Sequence, residues 1–321
     1  MPSIVEVSGL TKYYKKFLAL DSIDFTVEEG EIFGFLGPNG AGKSTTVRIL
    51  NTLLLPTSGR VVIAGYDLGK QPYAVKASIG LVPEISNPYL ELTCYENLFF
   101  TGKLFGLPKR VIKQEIDHLL EFFELTDKRD TKAEFLSKGL KRRLTIAMGL
   151  INRPKLLFLD EPVSGLDIQS ARLIRELIKK RNEEGTTIFL TTHQLTVANE
   201  LCDRIAIIQN GKIKAIDSPE NLRRAASKAQ VIELKLTDME IRAKEYMREL
   251  RELEGVEKAY TEKGNIRIVV NNLSELYIRI PRWAEKKGTK ILYMGTILPS
   301  LEDVFIEMTE TTGEKGGRSE K

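Results

Sequence analysis

The chain has 321 residues, 42% hydrophobic and 29% charged, which suits one large or two modest domains around ordinary cores. That excludes a small scaffold needing staples and a mostly disordered chain, while two distant cysteines, Cys94 and Cys202, exclude a disulfide framework or zinc knuckle. A net charge of +4 is too small to argue for nucleic acid. No apolar run approaches the roughly 18 residues of a membrane span, and no basic segment followed by an apolar core opens the chain, so no secretory leader is expected.

In chain order, residues 19–27 alternate in part, and 31–36 make a short apolar strand ending in a glycine-rich turn. Residues 45–54 are apolar on most sides, as a helix buried against a sheet is, and 60–65 and 79–82 read as strands. From about 88 to 150 the pattern turns helical, with Ile112, Ile116, Leu119, Leu120 and Phe123 on one face. Residues 156–162, LLFLDEP, are a continuous apolar run ending in two acids. Ile168, Ala171, Ile174, Leu177 and Ile178 give the next helix an inward face, and 186–193, TTIFLTTH, make a second buried strand. Buried strands alternating with helices predict an α/β fold whose largely parallel sheet is covered on both faces, with the helical block inserted into it.

A change of style at 218–229 marks a boundary. Beyond it come a strand at 231–236, a charged helix at 239–253 with Ile241, Tyr246, Leu250 and Leu253 inward, a strand pair closing at 266–270, a helix at 274–287, a strand at 290–295 and a short helix at 300–309. The expected organisation is a first domain over 1–220, containing a helical subdomain at about 88–150, then a small α+β domain over 221–310. The polar, glycine-rich tail 311–321 is expected to be disordered.

The strongest chemical signal is Gly37-Pro38-Asn39-Gly40-Ala41-Gly42-Lys43-Ser44-Thr45, a phosphate-loop pattern placed between a strand and a helix. Small residues let consecutive N–H groups turn inward around phosphates, and the helix points its positive end at them. Lys43 is expected to reach the β and γ phosphates of a nucleotide, and Ser44 to offer a hydroxyl to Mg2+. The second signal is LLFLDEP, in which a buried strand delivers Asp160 and Glu161 at its end. Asp160 suits a magnesium ligand acting through water, which leaves Glu161 to polarise the attacking water.

This ordered set resembles the nucleotide-binding subunit of ATP-binding cassette (ABC) transporters over residues 1 to about 220. The resemblance implies a P-loop NTPase cassette with a mixed sheet and an inserted helical subdomain. It identifies Ser164-Gly165-Leu166-Asp167 as the loop that faces a partner subunit, His193 as the switch histidine sensing the γ-phosphate, and Tyr14 as the aromatic stacking on adenine, with Tyr13 its neighbour and competitor. The family signature appears as Leu136-Ser137-Lys138-Gly139-Leu140; Ser137 and Gly139 remain, and Lys138 replaces a glycine, either adding a cation near the triphosphate or crowding the loop. Glu84, where many members carry glutamine, can offer an oxygen to Mg2+ beside Ser44 and Asp160.

The same resemblance implies a homodimer or paired cassette when ATP is bound, a separate integral-membrane permease, and a position on the cytoplasmic face of the membrane through that permease. It implies no nucleic-acid partner. The helical region at about 84–125, with Tyr89, Phe99 and Phe100, would cradle the membrane subunit. The segment PSLEDVFIEMTE at 299–310 resembles the closing stretch of two-component exporters of antibiotics, drugs or sodium. The competing expectation is a nucleotide-sensing regulatory subunit, or a non-transport member, with weak hydrolysis.

Overall fold

Period-two burial shapes the start of the chain. β1 (Ser3–Tyr14) buries Val5, Val7 and Leu10, β2 (Phe17–Glu28) buries Leu20, Ile23, Phe25 and Val27, and the two pair antiparallel. All five residues of β3 (Ile32–Leu36) are buried, and a glycine turn carries the chain into α1 (Lys43–Leu50). β4 (Ser58–Ile63) and β5 (Tyr66–Asp67) complete an antiparallel sheet ordered β2-β1-β4-β5. The computed structural model describes residues 2–85, 88–226, 230–262, 264–270, 273–297, 300–302 and 304–305.

After α2 (Pro72–Ser78) and β6 (Ile79–Val82) the chain leaves the sheet for α3 (Cys94–Leu104), α4 (Lys109–Phe122) and α5 (Lys138–Leu150). It returns as β7 (Leu156–Asp160), which pairs in parallel with β6, so the helices between them are an excursion from two adjacent strands. A capping box at Thr93 and Glu96 starts α3, and α4 buries Ile112, Ile116, Leu119 and Leu120 on one face.

α6 (Ile168–Glu183), β8 (Thr187–Thr191), α7 (Leu195–Leu201), β9 (Arg204–Gln209) and β10 (Lys212–Asp217) follow. The second sheet runs β10-β9-β3-β8-β7-β6, parallel throughout except for β10 against β9, and is therefore mixed. The hairpin of β9 and β10 stands where periodicity predicts no element, because its second strand, half exposed, carries no clear pattern. At the centre Phe189 lies 5.2–6.2 Å, between ring centroids, from Phe25, Phe33, Phe35 and Phe158. One expected core residue is not in the core: Ile168 is 87% exposed. It is the first residue of α6, ahead of the turns that bury Ile174, Leu177 and Ile178.

Residues Met1–Pro219 and Glu220–Lys321 are two compact units. The second contains α8 (Pro219–Ala226, which starts at the boundary), β11 (Gln230–Leu236), α9 (Met239–Arg251), β12 (Val256–Glu262), β13 (Asn265–Val270), α10 (Leu273–Lys287) and β14 (Ile291–Ile297). Its antiparallel sheet is ordered β12-β13-β11-β14, the βαββαβ arrangement of ferredoxin-like folds. Ile232, Leu234, Ile266 and Ile268 meet Tyr246, Leu250, Ile280 and Trp283 in its core, Leu253 packs at the edge, and Tyr246 and Trp283 meet edge to face at 5.1 Å. The side chain of Ile241, half of the expected helix at 300–309 and the tail 311–321 lie outside the described residues.

Candidate active site

Because β3, β8 and β7 are parallel neighbours, their carboxyl ends open on the same edge of the sheet, where ligands of α/β folds bind. Each contributes a loop: 37–42 after β3, Asp160 and Glu161 at the end of β7, and Thr192 and His193 after β8.

The glycines of the first loop are required by geometry. A Cβ on Gly37 would lie 2.3 Å from the Ile208 carbonyl oxygen. Gly42 has φ +115°, and a Cβ there would lie 2.7 Å from a Leu20 methyl. Among the described residues no side chain caps α1, so its first-turn N–H groups are presented to the loop. That is a cradle for an anion, and the triphosphate of ATP fits it. Ser44 is exposed and Thr45 half-buried at the start of α1. Pro38, Asn39 and Gly40 form the rim and Ala41 is buried beneath it. Lys43 Nζ donates to the carbonyls of Gly37 at 2.5 Å and Pro38 at 3.0 Å, curled over the loop. Burial pushes its pKa down, while Glu161 and Asp160 push it back up.

The two acids bond to different residues of the chain that follows Leu190. Asp160 Oδ1 accepts from the Thr191 hydroxyl. Glu161 is 7% exposed and has φ +46°. Its Oε2 accepts from Thr192 Oγ1 at 3.0 Å, and its Oε1 meets the backbone N–H and the ring Nδ1 of His193, both at 2.7 Å. Lys43, Asp160, Glu161 and His193 are thus brought into one electrostatic group. Ser44 and Asp160 are hard oxygen donors of the kind Mg2+ takes, the remaining positions falling to phosphates and water. Glu84 is exposed after β6, facing the Arg142 charge. Tyr14 is 40% exposed and Tyr13 45%, near the end of β1, with Lys12 Nζ 5.5 Å from the Tyr14 ring centroid.

Ser137, Gly139 and Asp167 form a second group. Ser137 caps α5 by accepting from Leu140 N–H at 3.3 Å, and both Ser137 and Lys138 are exposed at this helix start. Gly139 is packed so closely that a Cβ would lie 2.5 Å from Ser170 Oγ. Asp167 caps α6, accepting from Ser170 N–H at 2.8 Å and Ser170 Oγ at 2.7 Å, and these bonds hold its carboxyl below the usual range. Lys138 donates to the Gly165 carbonyl at 2.6 Å, so in this chain its ammonium engages the 164–167 loop.

Sequence reasoning did not single out Arg142. It is 8% exposed, and its guanidinium joins the two groups by donating to backbone carbonyls on both sides of the site. Its one legible signal is a run of three cations on a helix that must bury one face.

The comparisons with known proteins agree with this geometry. The family model described as "ABC transporter" matches residues 20–164. The chain is 36% identical to the "Nod factor export ATP-binding protein I" of Rhizobium sp. (strain N33), over 97% of this chain and 98% of that protein. It is 33% identical to the linearmycin resistance ATP-binding protein of Bacillus subtilis (strain 168), over 96% and 99%. A solved "ATP binding subunit of ABC transporter" superposes with a TM-score of 0.62 at 32% identity, covering 69% of this chain and 92% of that one. A dimeric post-hydrolysis cassette bound to ADP and Pi superposes with a TM-score of 0.60 at 28% identity, covering 67% and 98%. With the phosphate loop, the paired acids and the histidine on one sheet edge, and relatives matched end to end, the chain belongs to the ABC transporter family as an ATP-binding and ATP-hydrolysing subunit.

Proposed function

We propose that this subunit drives export, two copies closing head to tail on two ATP molecules and reopening after hydrolysis to move a separate membrane permease. The observation that carries the export reading is the end-to-end match, second unit included, to proteins named for Nod factor export and for linearmycin resistance. Pairing is supported by the dimeric cassette that superposes on the first unit. Among the described residues no helix is long and apolar enough to cross a membrane, so a permease in another chain would carry the cargo, and this subunit would sit on its cytoplasmic side.

In this reading the loop amides and Lys43 bind the β and γ phosphates, with Ser44, Asp160 and Glu84 holding Mg2+. Tyr14 stacks on the adenine. When bound, Mg2+ neutralises charge on the β and γ phosphates. Glu161 takes a proton from the attacking water, and its bonds from Thr192 and His193 keep the carboxylate aimed. Lys43 and His193 stabilise the charge that develops on the γ-phosphoryl oxygens. Ser137 and the amides at the start of α5, with Gly139 and Asp167, meet the nucleotide held by the other copy. Loss of the γ-phosphate removes that bridge and opens the pair.

The test is phosphate release by the purified chain with Mg2+, alongside the mass of the particle with and without ATP. Turnover that vanishes in Glu161→Gln while an ATP-dependent dimer accumulates is the expected result. A parent chain that binds ATP, stays monomeric and does not turn over, alone or with its permease, would instead mark a nucleotide-sensing subunit.

A further inference from the structure

Arginine carries five N–H donors in one plane and no acceptor, so when buried it must be surrounded by oxygens. Arg142 sits one turn into α5, three residues after Gly139, and among the described residues its hydrogen bonds end on backbone carbonyls. Nε donates to Pro162 O at 3.0 Å, and Nη2 to Asp160 O at 2.9 Å and Glu161 O at 3.2 Å. Nη1 donates to Pro83 O at 2.8 Å and Glu84 O at 3.4 Å.

Successive carbonyls of an extended strand point to opposite sides, so three in a row reach one guanidinium only if the chain turns between them. Glu161 supplies the turn. Its φ of +46° is left-handed, a conformation a glutamate rarely adopts and keeps only where its surroundings over-determine it. Arg142 is what gathers the three carbonyls of that turn. The same helix holds the next loop as well, through Lys138 and the carbonyl of Gly165, itself at φ +65°.

We infer that Arg142 is a positioning residue for ATP hydrolysis, holding Glu161 in its left-handed turn and tying residues 83–84 and 160–162 to the helix that begins at Ser137. The carboxylate is thereby aimed by the same helix whose start meets the other copy's nucleotide. Its charge faces Asp160, Glu84 and Glu161, as a plain buried arginine's would, but its hydrogen bonds among the described residues end on main-chain oxygens of the two segments that bear those carboxylates. The inference rests on Glu161 as the hydrolytic base, and its test contains a readout that does not.

That readout is amide hydrogen exchange in the nucleotide-free full chain. In Arg142→Ala, exchange at residues 161–166 should speed by about fivefold or more while β3 is unchanged, since only the tethered turn is released. Turnover should fall about tenfold or more with KM for ATP within about threefold, as expected when an aiming contact and not a binding contact is lost. A cleft of ≈ 300 Å³ lined by Glu84, Lys138, Lys141, Arg142 and Gly165 opens beside the guanidinium. Methylguanidinium should therefore restore part of kcat in Arg142→Ala, and tetramethylammonium should not.

Arg142→Lys, which keeps the charge and most of the stem, cannot reach both segments and should lose kcat similarly. It serves also if the alanine variant does not fold. Arg143→Lys, whose parent side chain bonds Glu124 and the Phe123 carbonyl instead, should keep the parent kcat. Full turnover in Arg142→Lys, exchange that speeds equally in β3, or a kcat loss without guanidinium rescue would each overturn the inference. If Glu161→Gln retains turnover while Arg142→Ala still loosens only 161–166, the base assignment fails and the tether stands.

Discussion

His193 meets a single oxygen of Glu161 twice, through its backbone N–H and through Nδ1, each at 2.7 Å. The peptide donor lies two residues beyond β8 and would survive replacement of the side chain by alanine. Removing the ring therefore tests what the imidazole adds beyond a fixed backbone bond. In His193→Ala, kcat should fall on the order of a hundredfold with ATP affinity nearly unchanged, since the carboxylate keeps the backbone N–H and Thr192 while, in the proposed role, the γ-phosphoryl loses the imidazole. Equal losses in nucleotide affinity and kcat would place His193 in binding instead.

Lys43 is the opposite case. Its ammonium bonds to the Gly37 and Pro38 carbonyls, so in the proposed role binding would exchange two neutral acceptors for charged phosphate oxygens. Lys43→Ala should weaken ATP binding by about tenfold or more, read by fluorescence titration, because charge-assisted bonds to phosphate are the ones removed. Adenosine, which has no phosphate, should bind equally to both forms.

Gly139 packs against the residue that Asp167 caps, so a methyl there is felt across two helices. Gly139→Ala should displace Ser170, loosen the start of α6 and reduce the ATP-dependent dimer of the Glu161→Gln chain. Nucleotide binding to the monomer should be unaffected, because no atom of the phosphate loop moves. Light scattering with and without ATP separates the two effects.

The cysteines predict a chemical response. Burial pushes the Cys94 thiol up to about 11 and the Cys202 thiol higher still. Both are free and buried, so at pH 8 the folded chain should resist alkylation, and unfolding in denaturant should expose two reactive thiols. The raised values also give a sign for stability. The neutral thiol is favoured in the fold, so this contribution is complete below the ordinary thiol pKa and is lost as pH rises towards 11. Melting curves between pH 8 and 11 should show a progressive decline.

Phe189 touches four other phenylalanines at the centre of the first unit. Phe189→Ala should cost about 3–5 kcal/mol, the usual penalty for an emptied aromatic core position. Phe189→Leu, which keeps most of the volume, should cost about half as much or less by the same measure. Denaturant midpoints at constant slope check both.

The phosphate loop, the strand ending in Asp160 and Glu161, and the strand ending before His193 were legible in the chain alone, because each is a contiguous pattern whose chemistry is local. A glycine turn between strand and helix can hold phosphate wherever it occurs, and a buried strand must deliver its terminal residues at a sheet edge. The second unit was legible for a related reason: alternation at 231–236 and 266–270 fixes which faces of β11 and β13 are buried before any neighbour is known. Periodicity names a face and not a partner, however. It counted Ile168 among inward residues, when the start of α6 projects it outward at 87% exposure. It could not choose between two readings of Lys138, whose partner is a carbonyl 27 residues along the chain. And it passed over Arg142, whose role depends on carbonyls 18–59 residues distant, three of them gathered by one left-handed residue. Motifs record which atoms a chain can offer; only the folded backbone decides which of its own oxygens come within reach of a buried cation.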